Sequence, residues 1–159
     1  MHFLICGYKD TFPYFWLFRT LHKLIKIVIE NTGADYGILI AIENNKLFIE
    51  AVGIAQKDEA SVQRIPFNQS CLQAPTTIIN YVQRTQQSIV LTDATQEKLY
   101  AENDYIKRNK PKSILCTSLS HQGKLVGIIY LENNLAIGAF TSQRLEVLKL
   151  LCSQKKIIY

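Results

Sequence analysis

The four cysteines are the side chains of this sequence best suited to redox or metal chemistry. They lie at Cys6, Cys71, Cys116 and Cys152, widely spaced, with no CxxC pair and no Cys/His cluster of the kind that binds zinc. No secretory signature accompanies them, so we expect free thiols in a reducing cytoplasm rather than disulfides. The sequence therefore predicts a cytoplasmic protein without a metal site.

The basic residues raise the question of an acidic partner, because the formal net charge is +5. The densest basic groups lie at 107–112 and 155–156, and they lack the aromatic interleaving that is typical of nucleic-acid sites. We therefore expect a solvated basic surface and no nucleic-acid partner. The sequence also contains no nucleotide-cradling glycine loop and no HRD or DFG motif, so it predicts no kinase activity of its own.

Residues 1–18 are apolar and aromatic enough to be considered as a membrane segment. Gly7, Lys9, Asp10 and Pro13 interrupt the run, and a bilayer-spanning helix needs about 18 to 20 uninterrupted apolar residues. No cationic start with a cleavage site is present either. We expect residues 1–16 to form an irregular lead-in and predict no membrane association.

The centre of the chain is a predicted β-hairpin. Two apolar runs, 113–120 and 125–131, flank the tetrapeptide 121–124, which contains Gly123. A two-residue loop predicts three cross-strand pairs: Ser120 with Leu125, Ser118 with Gly127, and Cys116 with Ile129. Both faces are largely apolar, so the hairpin should lie inside a sheet that is covered on both sides.

This register assigns each hairpin residue to one of two faces. One predicted face carries Leu115, Thr117, Leu119, Val126, Ile128 and Tyr130. The other predicted face carries Ile114, Cys116, Ser118, Leu125, Gly127, Ile129 and Leu131.

The elements that precede and follow the hairpin can be read from periodicity and breakers. Apolar spacing predicts a helix over 15–31 that stops at Gly33, and a closing helix that Thr141 caps. Strands are expected at 36–42, 47–52, 61–65 and 88–91, the third at a sheet edge because Pro66 ends it. Pro75 should open another helix, and 96–109 should form a lid of one or two short helices. The order predicts an α+β domain whose antiparallel sheet is sandwiched between helices.

Four segments resemble the GAF domain family: INYVQRTQQSIVLTDAT (79–95), PKSILC (111–116), GKLVGIIYLENNL (123–135) and GAFTSQRLEVLKLL (138–151). They are most similar to the GAF module of multidomain bacterial signal-transduction kinases, which carry serine/threonine-kinase and histidine-kinase regions. The resemblance covers 17–154 and leaves 155–159 as a truncated tail. It implies a non-catalytic sensory domain that works beside kinase domains.

The resemblance also implies where a ligand would bind, namely between the sheet and the lid. Pockets of this kind are mostly apolar with a few placed polar groups. The candidates are Asp93 and Tyr105 on the lid side, with Thr117 and Tyr130 on one hairpin face. Each has a structural alternative: a helix cap, lid packing, a strand residue and a core aromatic, respectively. The ligand and any cofactor stay unidentified.

Known ligands of the family fit the sequence poorly. Of the NKFDE-type cyclic-nucleotide signature, only Asn133 and Phe140 are present. Cys116 is followed by Thr117 rather than the histidine typical of a bilin attachment site. The histidines fall in the lead-in, the first helix and a turn, where surface positions are more common than haem ligation.

Two further function classes stay open. Some enzymes of this fold reduce free methionine sulfoxide with cysteines, and Cys71 and Cys116 could serve in that role or in a redox sensor if a cation or helix terminus lowered the pKa. Alternatively, the first and last helices could pair with a second copy and make the chain a dimerisation module. The apolar positions involved would be Leu17, Leu21, Leu24, Val28, Leu145, Leu148 and Leu151.

Overall fold

The computed structural model of this chain describes residues 11–57, 59–68 and 73–153. Three parts of the chain discussed above lie outside the described residues: the segment 1–10 with Cys6, the position of Cys71, and the tail at 155–159. The described strands are β1 (Tyr36–Glu43), β2 (Lys46–Ile54), β3 (Glu59–Pro66), β4 (Ile89–Leu91), β5 (Ser113–His121) and β6 (Lys124–Asn133). The described helices are α1 (Thr11–Thr32), α2 (Thr76–Thr85), α3 (Asp104–Asn109) and α4 (Ser142–Ser153).

The six strands form one antiparallel sheet in the order β3-β2-β1-β6-β5-β4. This confirms the predicted α+β sandwich, with β3 at an edge and the β5–β6 hairpin inside the sheet. Two-residue turns join β1 to β2 and β5 to β6, and positive φ values at Asn44, Asn45, Gln122 and Gly123 give them the twist that antiparallel strands favour.

Helix α1 begins earlier than its apolar spacing predicted. It starts at Thr11 rather than at Phe15, so residues 11–16 are helical and do not belong to an irregular lead-in. It ends where predicted, because Gly33 adopts φ +76° and donates its amide to the carbonyl of Ile29 at 3.1 Å. Within the described part of the chain, no helix is both long and apolar enough to cross a bilayer.

The sheet separates two apolar cores. Helices α1 and α4 cover one face, where Ile25, Val28 and Leu148 are fully buried. Helices α2 and α3 cover the other face, where Ile78 and Ile106 pack on the sheet. Residues 96–109, called the lid below, form several turns followed by the short helix α3, which has 6 residues.

The predicted register of the central hairpin is wrong beyond its first pair. Ser120 does oppose Leu125, but a β-bulge then shifts the strands, so that Leu119 opposes Gly127. The extra residue is Val126, since two residues of β6 span a single step of β5. From there on, Cys116 opposes Tyr130 and not Ile129.

The bulge also corrects the predicted faces. Ile128 and Tyr130 lie with Ile114 and Cys116 in the core under α2 and α3. Ile129 and Leu131 lie with Leu115 and Leu119 in the core under α1 and α4. Consequently Thr117 and Tyr130 do not share a face, because a one-residue slip moves every side chain of a strand to the other side.

Candidate functional site

A cleft of about 440 Å³ opens where the start of β1, the end of β6 and α3 meet. Its walls on the sheet side are Asp35, Tyr36, Ile54, Gln56 and Glu132. The lining residues from α3 and from the loops before α2 and after β6 are Gln73, Tyr105, Asn109, Asn134 and Leu135. The volume falls within the range of about 300 to 1,000 Å³ that small-molecule sites occupy.

The strand register explains why these residues meet. Tyr36 pairs with Ile54 on one side and with Glu132 on the other, so three strand ends lie level at this edge of the sheet. The Asp35 amide donates to the Glu132 carbonyl at 2.8 Å. The Asp35 carboxylate in turn accepts the backbone amide of Asn134 at 2.7 Å, which fixes the loop after β6.

Glu132 is the buried acid of the site, with 3% of its surface exposed. Its Oε2 accepts the hydroxyl of Tyr105 at 2.5 Å and that of Tyr130 at 2.7 Å. Its Oε1 accepts a long contact of 3.4 Å from the side-chain amide of Asn134. The carboxyl group therefore joins the lid, the sheet and the wall of the cleft.

Burial raises the pKa of Glu132 above its ordinary value, and the nearby Asp35 charge adds to the effect. The hydrogen bonds from Tyr105, Tyr130 and Asn134 act in the opposite direction, because they stabilise the carboxylate. Burial likewise raises the pKa of Tyr130 well above its usual range, and the Glu132 charge reinforces that shift. Tyr130 thus stays a hydroxyl donor to Glu132.

The lid is fixed to the sheet by packing rather than suspended over a void. Tyr105 and Ile106 are buried in the core beneath α3, and the Asn103 side chain caps the helix by accepting the Tyr105 amide at 2.9 Å. The expected space between sheet and lid is therefore found at the edge of the lid. There Tyr36 donates its hydroxyl to the Gln73 carbonyl at 2.9 Å and closes one wall.

Two of the four predicted site residues come together at this place. Tyr105 lines the cleft, and Tyr130 lies directly behind it, completely buried. Asp93 lies elsewhere, where its carboxylate accepts the amide and the hydroxyl of Thr95 at 3.1 and 2.6 Å. Thr117 is bonded to the Ser88 hydroxyl at 2.7 Å, between β4 and β5.

Sequence reasoning missed Glu132. A signal was available, since Glu132 follows Tyr130 by two residues in an otherwise apolar strand, and residues at that spacing share a face. A charged residue aligned with a predicted core tyrosine is unusual enough to mark a functional position.

The described cysteines are buried free thiols on the two sides of the sheet. Burial raises the pKa of the Cys116 thiol far above its usual range and that of Cys152 to about 12. Neither lines the cleft. Among the described residues, no group of three or more His, Cys, Asp or Glu side chains could hold a metal ion.

Asn133 connects the site to the face of the sheet that α1 and α4 cover. Its side-chain amide donates to the Gly33 carbonyl at the end of α1 at 2.8 Å. Its side-chain oxygen accepts the amides of Leu135 and Ala136 at 2.9 and 2.8 Å in the segment leading to α4. The side chains of Glu132 and Asn133 therefore lie on opposite faces of the sheet.

Comparison with known proteins gives one close sequence relative. The chain is 43% identical over 83 residues to hybrid signal transduction histidine kinase G of Dictyostelium discoideum, a match that covers 52% of this chain and 2% of that kinase. The matched part of the chain thus spans a small fraction of its relative's length.

Solved structures share the architecture. The GAF domain/HD domain protein from Geobacter sulfurreducens superposes with a TM-score of 0.63 at 11% identity, over 89% of this chain and 91% of that one. The type II free methionine-R-sulfoxide reductase from Thermoplasma acidophilum superposes with a TM-score of 0.58 at 11% identity, over 89% of both chains. At such identities the likeness concerns the fold alone. A model of the GAF domain family matches residues 17–155, and the chain belongs to that family.

Proposed function

We propose that this chain is a non-catalytic sensor domain, which binds a small molecule in the cleft and reports its presence to the kinase domains of a larger signal-transduction protein. The observation that carries the proposal is the position of Glu132. Glu132 lines the cleft, and its carboxylate accepts the hydroxyl of Tyr105 in the lid. A ligand that bonds to Glu132 would therefore change how the lid is attached.

Sequence similarity and the state of the cysteines both support the kinase context of this proposal. The sequence resembles the GAF modules of bacterial signal-transduction kinases, and it is 43% identical over 83 residues to a Dictyostelium histidine kinase. The two described cysteines are free thiols, which suits the reducing cytoplasm in which such kinase domains work.

The absence of catalysis is part of the same proposal. The described thiols are buried and have raised pKa values, whereas a catalytic cysteine needs an exposed, easily ionised thiol. A methionine sulfoxide reductase-like or redox-sensing role would have to use Cys6 or Cys71, which lie outside the described residues.

The signal would leave the domain through α1 and α4. Of the outward-facing apolar residues of α4, Val147 is 39% and Leu150 is 64% exposed. We propose that this helical face meets a second copy of the chain or the neighbouring helices of the larger protein. A molar mass by light scattering that stays monomeric at every concentration would contradict the homodimer.

Native mass spectrometry of the protein purified from its own host tests the sensor proposal. We expect a small molecule that leaves on denaturation. The Gln56→Trp variant should lose it, because an exposed residue of the cleft wall would then fill the space.

Gln96→Trp is the matched control, since Gln96 is an exposed lid residue that does not line the cleft. It should retain the bound molecule. If the wild-type protein carries nothing and takes up nothing from a metabolite extract, the chain is a scaffold and not a sensor.

A further inference from the structure

The charge of the cleft differs from that of the chain as a whole. The protein carries a formal charge of +5, yet the ionisable groups among the described residues lining the cleft, tyrosines aside, are the carboxyls of Asp35 and Glu132. None of these described lining residues is Lys, Arg or His. The cleft is therefore a locally acidic site on a basic protein.

An anionic ligand would find little to bind here. Phosphate and carboxylate groups are recognised by Arg, Lys or converging backbone amides. Among the described residues, the Lys112 ammonium approaches this region, and it donates to the Leu135 carbonyl at 3.4 Å. The side-chain amides of Gln56, Gln73 and Asn109 supply only neutral donors and acceptors.

The remaining lining groups suit a cation. Tyr36 and Tyr105 both line the cleft, and the ring faces of tyrosines attract ammonium groups. Glu132 is 3% exposed, and among the described residues its Oε1 accepts just the 3.4 Å contact from the Asn134 side chain. A desolvated carboxylate of this kind gains most from a cation that bonds to it directly.

We propose that the cleft binds a small organic cation, with an ammonium group that bonds to Glu132, is neutralised jointly by Glu132 and Asp35, and packs against Tyr36 and Tyr105. The inference rests on the proposed sensor function and names the chemical class of its ligand. Burial is the main cause of the raised pKa of Glu132, and repulsion from the nearby Asp35 charge adds to it. A bound cation would remove that repulsion.

The test uses a probe set that varies charge at nearly constant shape. Choline carries a quaternary ammonium, 3,3-dimethylbutan-1-ol is its neutral isostere, and 3,3-dimethylbutanoate is a similar anion. 1,4-Diaminobutane adds primary ammonium groups. Each probe is titrated into the isotopically labelled chain, and the backbone amide signals are followed by NMR, which detects millimolar binding.

We expect choline or 1,4-diaminobutane to shift the amide signals of Asp35, Gln56 and Asn134 saturably. The neutral isostere and the anion should bind at least about tenfold more weakly, because they lack the charge-assisted contact. Glu132→Gln and Asp35→Asn should each weaken binding of the cations about tenfold. Glu132→Gln keeps one oxygen that can accept both tyrosine hydroxyls, and Asp35→Asn keeps one that can accept the backbone amide of Asn134.

Glu146→Gln is the matched control, because Glu146 is an exposed acid of α4. It should leave every titration unchanged. If the neutral isostere or the anion binds the cleft as tightly as the cations do, the charge assignment is wrong while the sensor proposal stands. If no probe shifts these amides and host-purified protein also carries no small molecule, both proposals fail.

Discussion

Tyr105 of the lid and Tyr130 of the central strand meet edge to face, with ring centroids 6.4 Å apart and planes at 87°. This is a favoured aromatic geometry. Both hydroxyls donate to the same oxygen of Glu132, so one carboxylate adds a polar link between lid and sheet to the packing of Tyr105 and Ile106.

The shared acceptor predicts the cost of removing either hydroxyl. Tyr130→Phe and Tyr105→Phe should each lower the free energy of unfolding by about 1.5 to 3 kcal/mol, since each removes a buried hydrogen bond to a charged group. Urea denaturation measures the loss. The double variant should depart from the sum of the two losses by about 0.5 kcal/mol or more, because the two donors share a partner.

Tyr81→Phe is the control for these variants. Its hydroxyl donates to the Gln87 side chain at 3.2 Å in an exposed pair, and its loss should cost less than about 0.5 kcal/mol. Equal effects for Tyr81→Phe and Tyr130→Phe would mean that the Glu132 contacts contribute nothing.

Glu132 should impose a pH dependence on stability. Its pKa is raised from an ordinary value of 4.5, so the folded state binds the proton more tightly than the unfolded state. The resulting stabilisation is complete below the unfolded pKa and is lost as the pH rises through the folded pKa. The difference in unfolding free energy between Glu132→Gln and wild type should therefore shift in favour of the variant as pH rises from 4 to 8.

Glu50 provides a comparison for that measurement, because its pKa is also raised, mainly by burial, against the opposing charge of Arg64. Glu50 is bonded by Arg64 and Glu132 by Tyr105, Tyr130 and Asn134, with no shared partner among these. The pH-dependent changes of Glu50→Gln and Glu132→Gln should add in the double variant. A Glu132→Gln difference that is flat across the range would contradict the raised pKa.

Gly127 lies where the hairpin shifts its register. A Cβ at this position would approach the Ile40 carbonyl oxygen to 2.7 Å, and a backbone atom between two paired strands cannot easily move. Gly127→Ala should cost about 1 to 3 kcal/mol of unfolding free energy. Thermal and urea denaturation both measure it.

Gly123→Ala separates that clash from the general cost of losing a glycine. Gly123 has open space around its Cβ position but φ +76°, so the substitution should cost about 1 kcal/mol through backbone strain alone. If Gly127→Ala lowers the free energy of unfolding less than Gly123→Ala does, then β6 can move away from the Ile40 carbonyl of β1.

The described thiols should be unreactive in the folded protein. A variant with Cys6→Ser and Cys71→Ser retains only Cys116 and Cys152, which are 0% and 5% exposed. Because burial raises both pKa values, a maleimide at pH 7.5 should label neither within minutes, whereas both should react at once in urea. Rapid labelling of native Cys116 would reopen a catalytic or redox role for it.

Most of the fold could be predicted from the sequence, because the strands and helices carry regular apolar spacing and the breakers Gly33 and Pro66 lie at their ends. The register of the central hairpin could not be predicted. Leu125 and Val126 are both apolar, so alternation does not reveal which of them is the extra residue at the bulge. Both faces of the hairpin are also buried, which removes the contrast between polar and apolar sides that normally fixes a register.

Of the four residues that the sequence predicted for the site, two lie together at the cleft and two lie elsewhere. Tyr105 and Tyr130 were recognisable as polar groups at the lid and on the central strand, and the structure brings them together at Glu132. Asp93 and Thr117 instead bond to their own neighbours, Thr95 and Ser88, as short polar side chains in turns and strands often do. Whether any of these residues contacts a ligand stays a prediction that the binding experiments address.

Asn133 gives the domain a property that works in both directions. Its side-chain amide donates to the Gly33 carbonyl at the end of α1, and its chain neighbour Glu132 lines the cleft. If a ligand in the cleft changes the affinity of α1 for a partner by some factor, then binding of that partner to α1 must change the affinity for the ligand by the same factor. The dissociation constant of the ligand in the cleft would then depend on whether a partner is bound to α1.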